Sequence, residues 1–272
     1  MTTDKITPPR FSVVVPALNE ESVLGDCLAS LLAQTFSGPF EIIVVDNGST
    51  DATAELATRY DVQVVSETRA GVCFARQRGL SVARGDIVVS TDADTTFSPG
   101  WLQLIDERFT AHPDAVAVAG PCSFVDGPWW SGVWQRALFG PVAAVARLTG
   151  RVGYVTATNL AFRQVAFDGY NTRLTQGGDE LDVLRQLQQR GRVIFANDNP
   201  TFTSARRLHR GLLYNVVVSL GYYYVLGYLL NRVTGHRILG SAPSFRRPRP
   251  INAPDGADHG RAHRCAETHI SR

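Results

Sequence analysis

Short runs of β-branched residues, spaced along the first half of the chain with helical patterns between them, constrain the fold more than any other feature. Residues 11–15 (FSVVV) and 42–45 (IIVV) show almost no apolar/polar alternation. Runs of that kind suit strands covered on both faces, as in a parallel sheet. Val62 to Val65, Ile87 to Val89 and Val116 to Val118 continue the series. Between them, Val23, Leu24, Cys27, Leu28, Leu31 and Leu32 recur at helical spacing, which also places Cys27 in the core. Ala52 to Tyr60 and Cys73 to Ala83 read as further helices. Strands alternating with helices predict right-handed βαβ units in a doubly wound α/β sheet, mostly parallel, with helices on both faces. Such sheets bind ligands beyond the carboxyl ends of their strands.

With 272 residues, 44% of them hydrophobic, the chain can bury one sizeable α/β core. A formal net charge of +2 gives no basic surface for nucleic acid, so no nucleic-acid partner is expected. Lys5 is the only lysine. Arginine therefore carries nearly all the positive charge, which suits phosphate recognition, but a GC-rich genome gives the same bias and is the readier explanation. Cys27, Cys73, Cys122 and Cys265 form no CxxC pair, so neither a zinc site nor a disulfide framework is expected, and a reducing compartment fits best. The opening MTTDKITPPR lacks an apolar stretch of the signal-peptide kind.

Polar motifs follow the strands. The first strand runs into Pro16-Ala17-Leu18-Asn19-Glu20 and the second into Asp46-Asn47-Gly48-Ser49-Thr50-Asp51. Then come Arg69-Ala70-Gly71-Val72, Ala75-Arg76-Gln77-Arg78-Gly79, Asp92-Ala93-Asp94, Asn159-Leu160-Ala161-Phe162-Arg163 and Gly178-Asp179-Glu180-Leu181-Asp182. Each is weak alone. In this order and spacing, over roughly residues 11–207, they resemble the family 2 glycosyltransferases of GT-A fold. The resemblance implies transfer of a sugar from a nucleotide-diphosphate donor to an acceptor hydroxyl, with inversion and with Mg²⁺ or Mn²⁺ as cofactor. It assigns Asp94 to the metal and Asp92 to the ribose or the metal shell. It also gives Pro16, Asn19, Glu20, Gly71 and Arg76 to the nucleotide pocket.

The residues support part of this directly. A departing nucleoside diphosphate needs charge neutralisation, which a divalent cation supplies. Such cations prefer oxygen ligands, and the donor phosphates provide several, so one or two carboxylates at a strand end suffice. Asp92 and Asp94, two apart in extended chain, would point the same way; the plainer alternative is a solvated turn or a cap for a helix starting near Pro99. Asp46 and Asn47 sit where a base or ribose would bind. Ser49, Thr50 and Asp51 read mainly as helix caps, and Asn19 could serve the same end. Arg69 and Arg78 default to surface arginines. Glu180 is the candidate general base for the acceptor hydroxyl. The family pattern is Glu-Asp with the second acid as base, and the order here is Asp179-Glu180, so Asp179 stays open as the alternative. Asp182 reads as a helix-surface acid, and all three acids would also favour a helix N-terminus. Arg206 and Arg207 are candidate clamps on the diphosphate, or else membrane-flanking charge.

Four regions follow. Residues 1–9 are expected to be flexible. Residues 10–205 form the GT-A-like domain, with 10–125 as nucleotide-binding half and 126–205 as acceptor half. Residues 206–240 form a hydrophobic helical segment, and 241–272 a disordered basic tail. Gly211 to Leu230 is long enough to span ~30 Å as a helix. Its mid-run Tyr222-Tyr223-Tyr224 cluster and its arginines on both flanks favour a re-entrant or interfacial helix over a clean crossing. Residues 129–148, with Trp129, Trp130 and Trp134, suggest a second interfacial element. The expectation is a peripheral, re-entrant or single-span protein at the cytoplasmic face of the cell membrane, otherwise a cytoplasmic one, acting on a lipid or lipid-linked acceptor. Two other classes compete. A nucleotidyltransferase would open with a Gly-rich basic loop where Pro-Ala-Leu-Asn-Glu stands. A non-catalytic nucleotide-sugar-binding protein would have lost the acids, yet Asp92, Asp94, Asp179 and Glu180 remain. No GxGxxG follows a strand, which disfavours a dinucleotide-dependent oxidoreductase.

Overall fold

The computed structural model describes residues 8–174 and 179–226. The expected tail over 241–272, the stretch 227–240, Gly178 and most of the N-terminal arm lie outside these residues. In chain order the elements are β1 (Phe11–Ala17), α1 (Leu24–Leu32), β2 (Phe40–Asp46), α2 (Thr53–Ala57), β3 (Gln63–Ser66), α3 (Val72–Val82), β4 (Ile87–Ser90), β5 (Thr95–Thr96), α4 (Trp101–Ala111), β6 (Ala115–Ala119), β7 (Cys122–Phe124), α5 (Ser131–Thr149), β8 (Leu160–Arg163), α6 (Asp179–Arg190), β9 (Arg192–Phe195) and β10 (Thr201–Thr203).

Among the described residues, seven strands form the main sheet in the order β3-β2-β1-β4-β8-β6-β9. Every neighbouring pair is parallel except those of β8, which runs antiparallel to both β4 and β6. The period of two along a strand divides the core between the faces. Val13, Val15, Ala17, Ile42 and Val44 bury on one side with Leu24, Cys27, Leu28 and Leu31 of α1 and with Trp101, Leu102, Ile105 and Phe109 of α4. Val14, Ile43 and Val45 bury on the other with Ala75 and Leu80 of α3 and with Val183, Leu184 and Leu187 of α6. Each fully buried Leu or Ile contributes on the order of 1.5–3 kcal/mol, so the unalternating strands found their covering helices. α3 lies close against β1 because Gly79 has no side chain; a Cβ there would stand 2.3 Å from Val14 Cγ1.

The sequence reading missed β8, β5, β7 and β10. The last three form a small second sheet, β5-β10-β7, in which Thr95 and Thr96 pair with Thr203 and Phe202. It ties the segment after β4 to the segment after β10. The expected hydrophobic helical segment over 206–240 lies partly outside the described residues, and a regular apolar α-helix is not supported in the part described. Residues 208–210 make a 3-10 turn, Gly211 takes φ 92°, Leu212–Tyr214 make one α-turn, and Asn215–Leu226 wind as a wider π-type helix. Asn215 explains the break: it is buried, and its amide donates to the carbonyls of Arg207 and Gly211, so a polar anchor sits inside the run. No helix among the described residues is long and apolar enough to cross a membrane.

Candidate functional site

Loops at the carboxyl ends of β1, β2, β3 and β4, the start of α3, the exit of β10 and one flank each of α5 and α6 enclose a cavity of about 600 Å³. Pro16, Glu20, Asn47, Gly71, Arg76, Asp92, Asp94, Glu180, Arg206 and Arg207 line it. The acids after β4 and the acid of α6, 86 or more residues apart in sequence, thus face one space.

Asn19, Asp46 and Asp179 do not line this cavity. Asn19 has φ 53°, and its amide oxygen accepts from Thr50 N at 2.7 Å. Asp46 Oδ1 accepts from Ser49 N at 3.2 Å. Both therefore brace the loop after β2. Asp51 Oδ1 accepts from Thr53 N at 3.0 Å just ahead of α2, whose N-cap is Ala52 with no side-chain cap, so Asp51 braces the turn rather than serving as the cap residue expected from sequence. Asn47 lines the cavity, but its amide is committed to the backbone: Nδ2 donates to the carbonyls of Glu67 (2.9 Å) and Arg69 (2.7 Å), and Oδ1 accepts from Gly71 N (2.9 Å). An aspartate could not make the two donor bonds. Asn47 thereby fixes the loop that delivers Gly71, whose φ of 135° suits glycine, to the start of α3.

The chain turns at Ala93–Asp94, so Asp92 and Asp94 are not the extended pair that the spacing suggested. Neither caps α4, which has no side-chain cap. Each meets a different arginine. Arg76, buried within α3, donates to Asp92 Oδ1 at 2.9 Å and to Asp179 Oδ2 at 2.7 Å. It is therefore an internal bridge between Asp92 and the first acid of α6. Burial acts to lower its pKa, but the charges of Asp92 and Asp179 outweigh burial and hold it protonated. Its Nε has no hydrogen-bond partner among the described residues. Asp94 meets Arg206, whose guanidinium also holds both oxygens of Glu20, at 2.9 and 3.2 Å. Burial raises the Asp94 pKa despite that arginine.

Glu180 points into the cavity, while Asp179, one residue back on the helix, points to Arg76. Glu180 accepts from Tyr154 Oη at 3.2 Å and from Ala157 N at 3.1 Å. Burial, and then the neighbouring charge of Asp179, push its pKa up to about 7. A carboxylate so placed takes up a proton readily near neutral pH. Asp182 accepts from Gln186 Nε2 one turn on, a helix-surface contact. Arg69 pairs with Glu67 and covers the Phe74 ring, and Arg78 is exposed.

Two residues that shape the site, Asp126 and Tyr154, escaped the sequence reading, and Asn159, quoted there within a motif, serves packing and does not line the cavity. Asp126 accepts from Ala205 N at 2.6 Å and from Ser204 Oγ at 3.2 Å, which fixes the turn presenting Arg206. Tyr154 holds Glu180, and its ring lies 6.3 Å from that of Phe139 on α5. Asn159 receives Trp101 Nε1 and donates to the carbonyls of Pro121 and Asn199. Only Asn159 lay in a recognisable motif; isolated Asp126 and Tyr154 carry no local signal. With Phe124, Trp134, Leu138, Phe139 and Leu174, Tyr154 gives the cavity an apolar wall beside Glu180.

For an oxygen-preferring cation, the described residues hold no group of three His, Cys, Asp or Glu side chains arranged as a metal site. Asp94 is paired with Arg206, so a metal ion at that carboxylate would have to take the guanidinium's place. The donor set therefore fits Mg²⁺ or Mn²⁺ only if donor phosphates complete the shell.

The family model described as glycosyl transferase family 2 matches residues 12–170. A PGL/p-HBAD biosynthesis glycosyltransferase of Mycobacterium bovis is 37% identical over 178 residues, 61% of this chain and 69% of that protein. The glucosyl-dolichyl phosphate glucuronosyltransferase of Haloferax volcanii is 26% identical over 191 residues, 63% of this chain and 59% of that protein. For three other curated glycosyltransferases the aligned segment is only 17%, 34% and 27% of their length. Among solved structures, glucosyl-3-phosphoglycerate synthase from Mycobacterium tuberculosis, in complex with Mn²⁺, UDP-glucose and phosphoglyceric acid, superposes with TM-score 0.59 at 22% identity, covering 82% of this chain and 79% of that one. That likeness bears out the mixed α/β, mostly parallel GT-A-type fold.

Proposed function

The chain belongs to glycosyl transferase family 2, and on that footing we propose that it transfers a sugar, with inversion, from a nucleoside-diphosphate donor to an acceptor hydroxyl. One observation carries the proposal: Asp92, Asp94 and Glu180 face a single cavity, and burial raises the proton affinity of Glu180, the α6 acid directed into it. Asp179 is instead paired with Arg76 at 2.7 Å and does not line the cavity.

The roles follow from charge and position. Asp94 and Asp92 would hold a divalent cation together with the donor diphosphate, and the loop fixed by Asn47 would form the wall of the nucleotide pocket. When bound, the cation neutralises charge on the leaving group. Arg206 and Arg207 add positive charge at the same end. Glu180, oriented by Tyr154 and Ala157 N, accepts the acceptor's hydroxyl proton as that oxygen bonds to the anomeric carbon. The bond from that carbon to the diphosphate oxygen breaks on the opposite face, so configuration inverts.

The apolar wall beside Glu180 favours an acceptor with an apolar part, a lipid or lipid-linked glycan. The Haloferax relative's name, with its glucosyl-dolichyl phosphate, is in keeping with that class. Exposed Trp129, Val133, Leu148, Leu213 and Val217, with Arg136, Arg147 and Arg210 also exposed, support residence at an anionic membrane surface. The cytoplasmic face supplies such a surface.

The test is a thermal-shift screen of nucleotide sugars with and without Mn²⁺, followed by product stereochemistry with the donor it identifies. Stabilisation that requires both nucleotide and Mn²⁺ is expected. Stabilisation by no nucleotide sugar under either condition defeats the donor reading, and a product of retained configuration defeats the inversion. Cosedimentation with anionic but not neutral liposomes tests the membrane reading; protein left wholly in the supernatant overturns it.

A further inference from the structure

The contact between Arg206 and Asp94 bears on how a cation reaches the site. The two are 112 residues apart in sequence and meet only because β5 and β10 pair in the small sheet. Ser204 N donates to the Asp94 carbonyl at 3.2 Å, and Asp126 holds Ala205 N, so the backbone under Arg206 is fixed on both sides. From there the guanidinium spreads over two acids. Nη1 and Nη2 donate to the two oxygens of Glu20, and Nη2 also donates to Asp94 Oδ2 at 2.5 Å. The three side chains are 18%, 12% and 15% exposed, so water screens the charges little. The remaining Asp94 oxygen accepts from Thr203 Oγ1 at 3.3 Å. Both oxygens of the carboxylate are thus engaged.

A guanidinium and a divalent cation cannot share Asp94 Oδ2. Like charges would stand within ~4 Å of each other in a poorly screened pocket, where they repel strongly. We infer that Arg206 is an exchangeable counter-ion for Asp94, which a divalent cation displaces and which then turns to the donor diphosphate. Glu20 suits the pivot, since it holds the guanidinium independently of Asp94. The diphosphate offers the released arginine a bidentate acceptor that a cation alone does not. Cation and nucleoside diphosphate should therefore bind with positive coupling, each easing the entry of the other. This rests on the donor and metal reading above, and it adds a positioning role for Arg206 that the reading does not require.

The experiment is Mn²⁺ binding to the full chain, followed by the electron paramagnetic resonance signal of free Mn²⁺, with Mn²⁺ alone and with UDP or GDP. Arg206→Ala removes the competing charge. Arg207→Ala removes an equal charge that also acts on Asp94 but makes no hydrogen bond to it among the described residues. We expect Arg206→Ala to bind Mn²⁺ alone about tenfold more tightly than the unmodified protein, and Arg207→Ala to change it less than about threefold. The tightening of Mn²⁺ by UDP or GDP should shrink in Arg206→Ala, and Arg206→Lys, which keeps the charge, should restore weak binding of Mn²⁺ alone. Arg206→Gln serves as a second neutral variant if the alanine form does not fold. Equal effects of Arg206→Ala and Arg207→Ala would reduce the contact to general electrostatics and overturn the inference, as would unchanged Mn²⁺ affinity in both neutral Arg206 variants. In either case, nucleotide-dependent Mn²⁺ binding by the unmodified protein would leave the donor reading standing. If no form binds Mn²⁺ even with UDP or GDP, both fall.

Discussion

Replacing Arg76 by methionine tests whether the bridge inside the site is built as described. Methionine keeps most of the side-chain length and removes the charge. Two carboxylates then lose this ion pair, but unequally: the Asp92 side chain is 31% exposed and can turn to water, whereas that of Asp179 is 3% exposed and cannot. The penalty therefore falls mainly on Asp179. Breaking a buried pair by removing one partner costs about 3–5 kcal/mol. For a domain of this size each kcal/mol lowers Tm by roughly 2–4 °C, giving a loss of about 6–20 °C. Asp179→Asn alone should cost less, because Arg76 keeps Asp92. The double variant Arg76→Met/Asp179→Asn leaves no buried charge at either position, so it should recover at least about 2 kcal/mol relative to the sum of the single changes. The assay is urea unfolding of all four proteins at neutral pH. Additive single effects, or an Arg76→Met cost below about 1 kcal/mol, would show that Arg76 and Asp179 are not a desolvated pair.

Further outcomes follow from the same geometry. Glu180→Gln should leave donor binding intact while transfer falls by at least about 10²-fold; if Asp179→Asn is instead the inactive form that still binds donor and folds, the base is misassigned. Because the Glu180 pKa is raised to about 7, its basic form accumulates as pH rises through neutrality, so kcat/KM should climb across that range and level off above it; a profile flat down to pH ~5.5 contradicts the role. The same raised pKa means that the folded state holds this proton more tightly than the unfolded chain, where Glu titrates near ~4.3. The group's contribution to stability is therefore lost as pH rises from there to about 7 and is then constant. Asn47→Ala removes three hydrogen bonds and frees the loop before α3; Tm should fall, by about 1–3 kcal/mol of stability, and the donor KM should rise, whereas a raised KM without loss of stability would place Asn47 on the ligand instead. Gly79→Ala sets a methyl 2.3 Å from Val14 Cγ1 and should cost about 1–3 kcal/mol in urea unfolding; a neutral result would mean that α3 stands further from β1.

The sequence by itself determined the layered α/β plan and the ends of the strands where chemistry gathers. Both are local properties. Val13, Val14 and Val15 are apolar in succession, and a strand with no polar face must be covered on both sides. The acids stand where such strands stop. Tertiary structure decided what periodicity cannot reach. The antiparallel entry of β8 between β4 and β6 depends on pairing between distant segments, and the run Leu160–Arg163 is too short to announce it. Asp179 and Glu180 are adjacent in sequence, but one step along a helix is a rotation of about 100°, so packing alone sent one to Arg76 and the other to the cavity. Asn47, Asn19 and Asp46 have side chains as fit for a ligand as for a loop; the backbone groups that folding brought within reach bound them instead. Arg206 meets Asp94 only across the small sheet, and Asp126 and Tyr154 joined the site in the same way. Side-chain type limits which partners a residue can take, and only chain closure over many residues brings a particular one into contact.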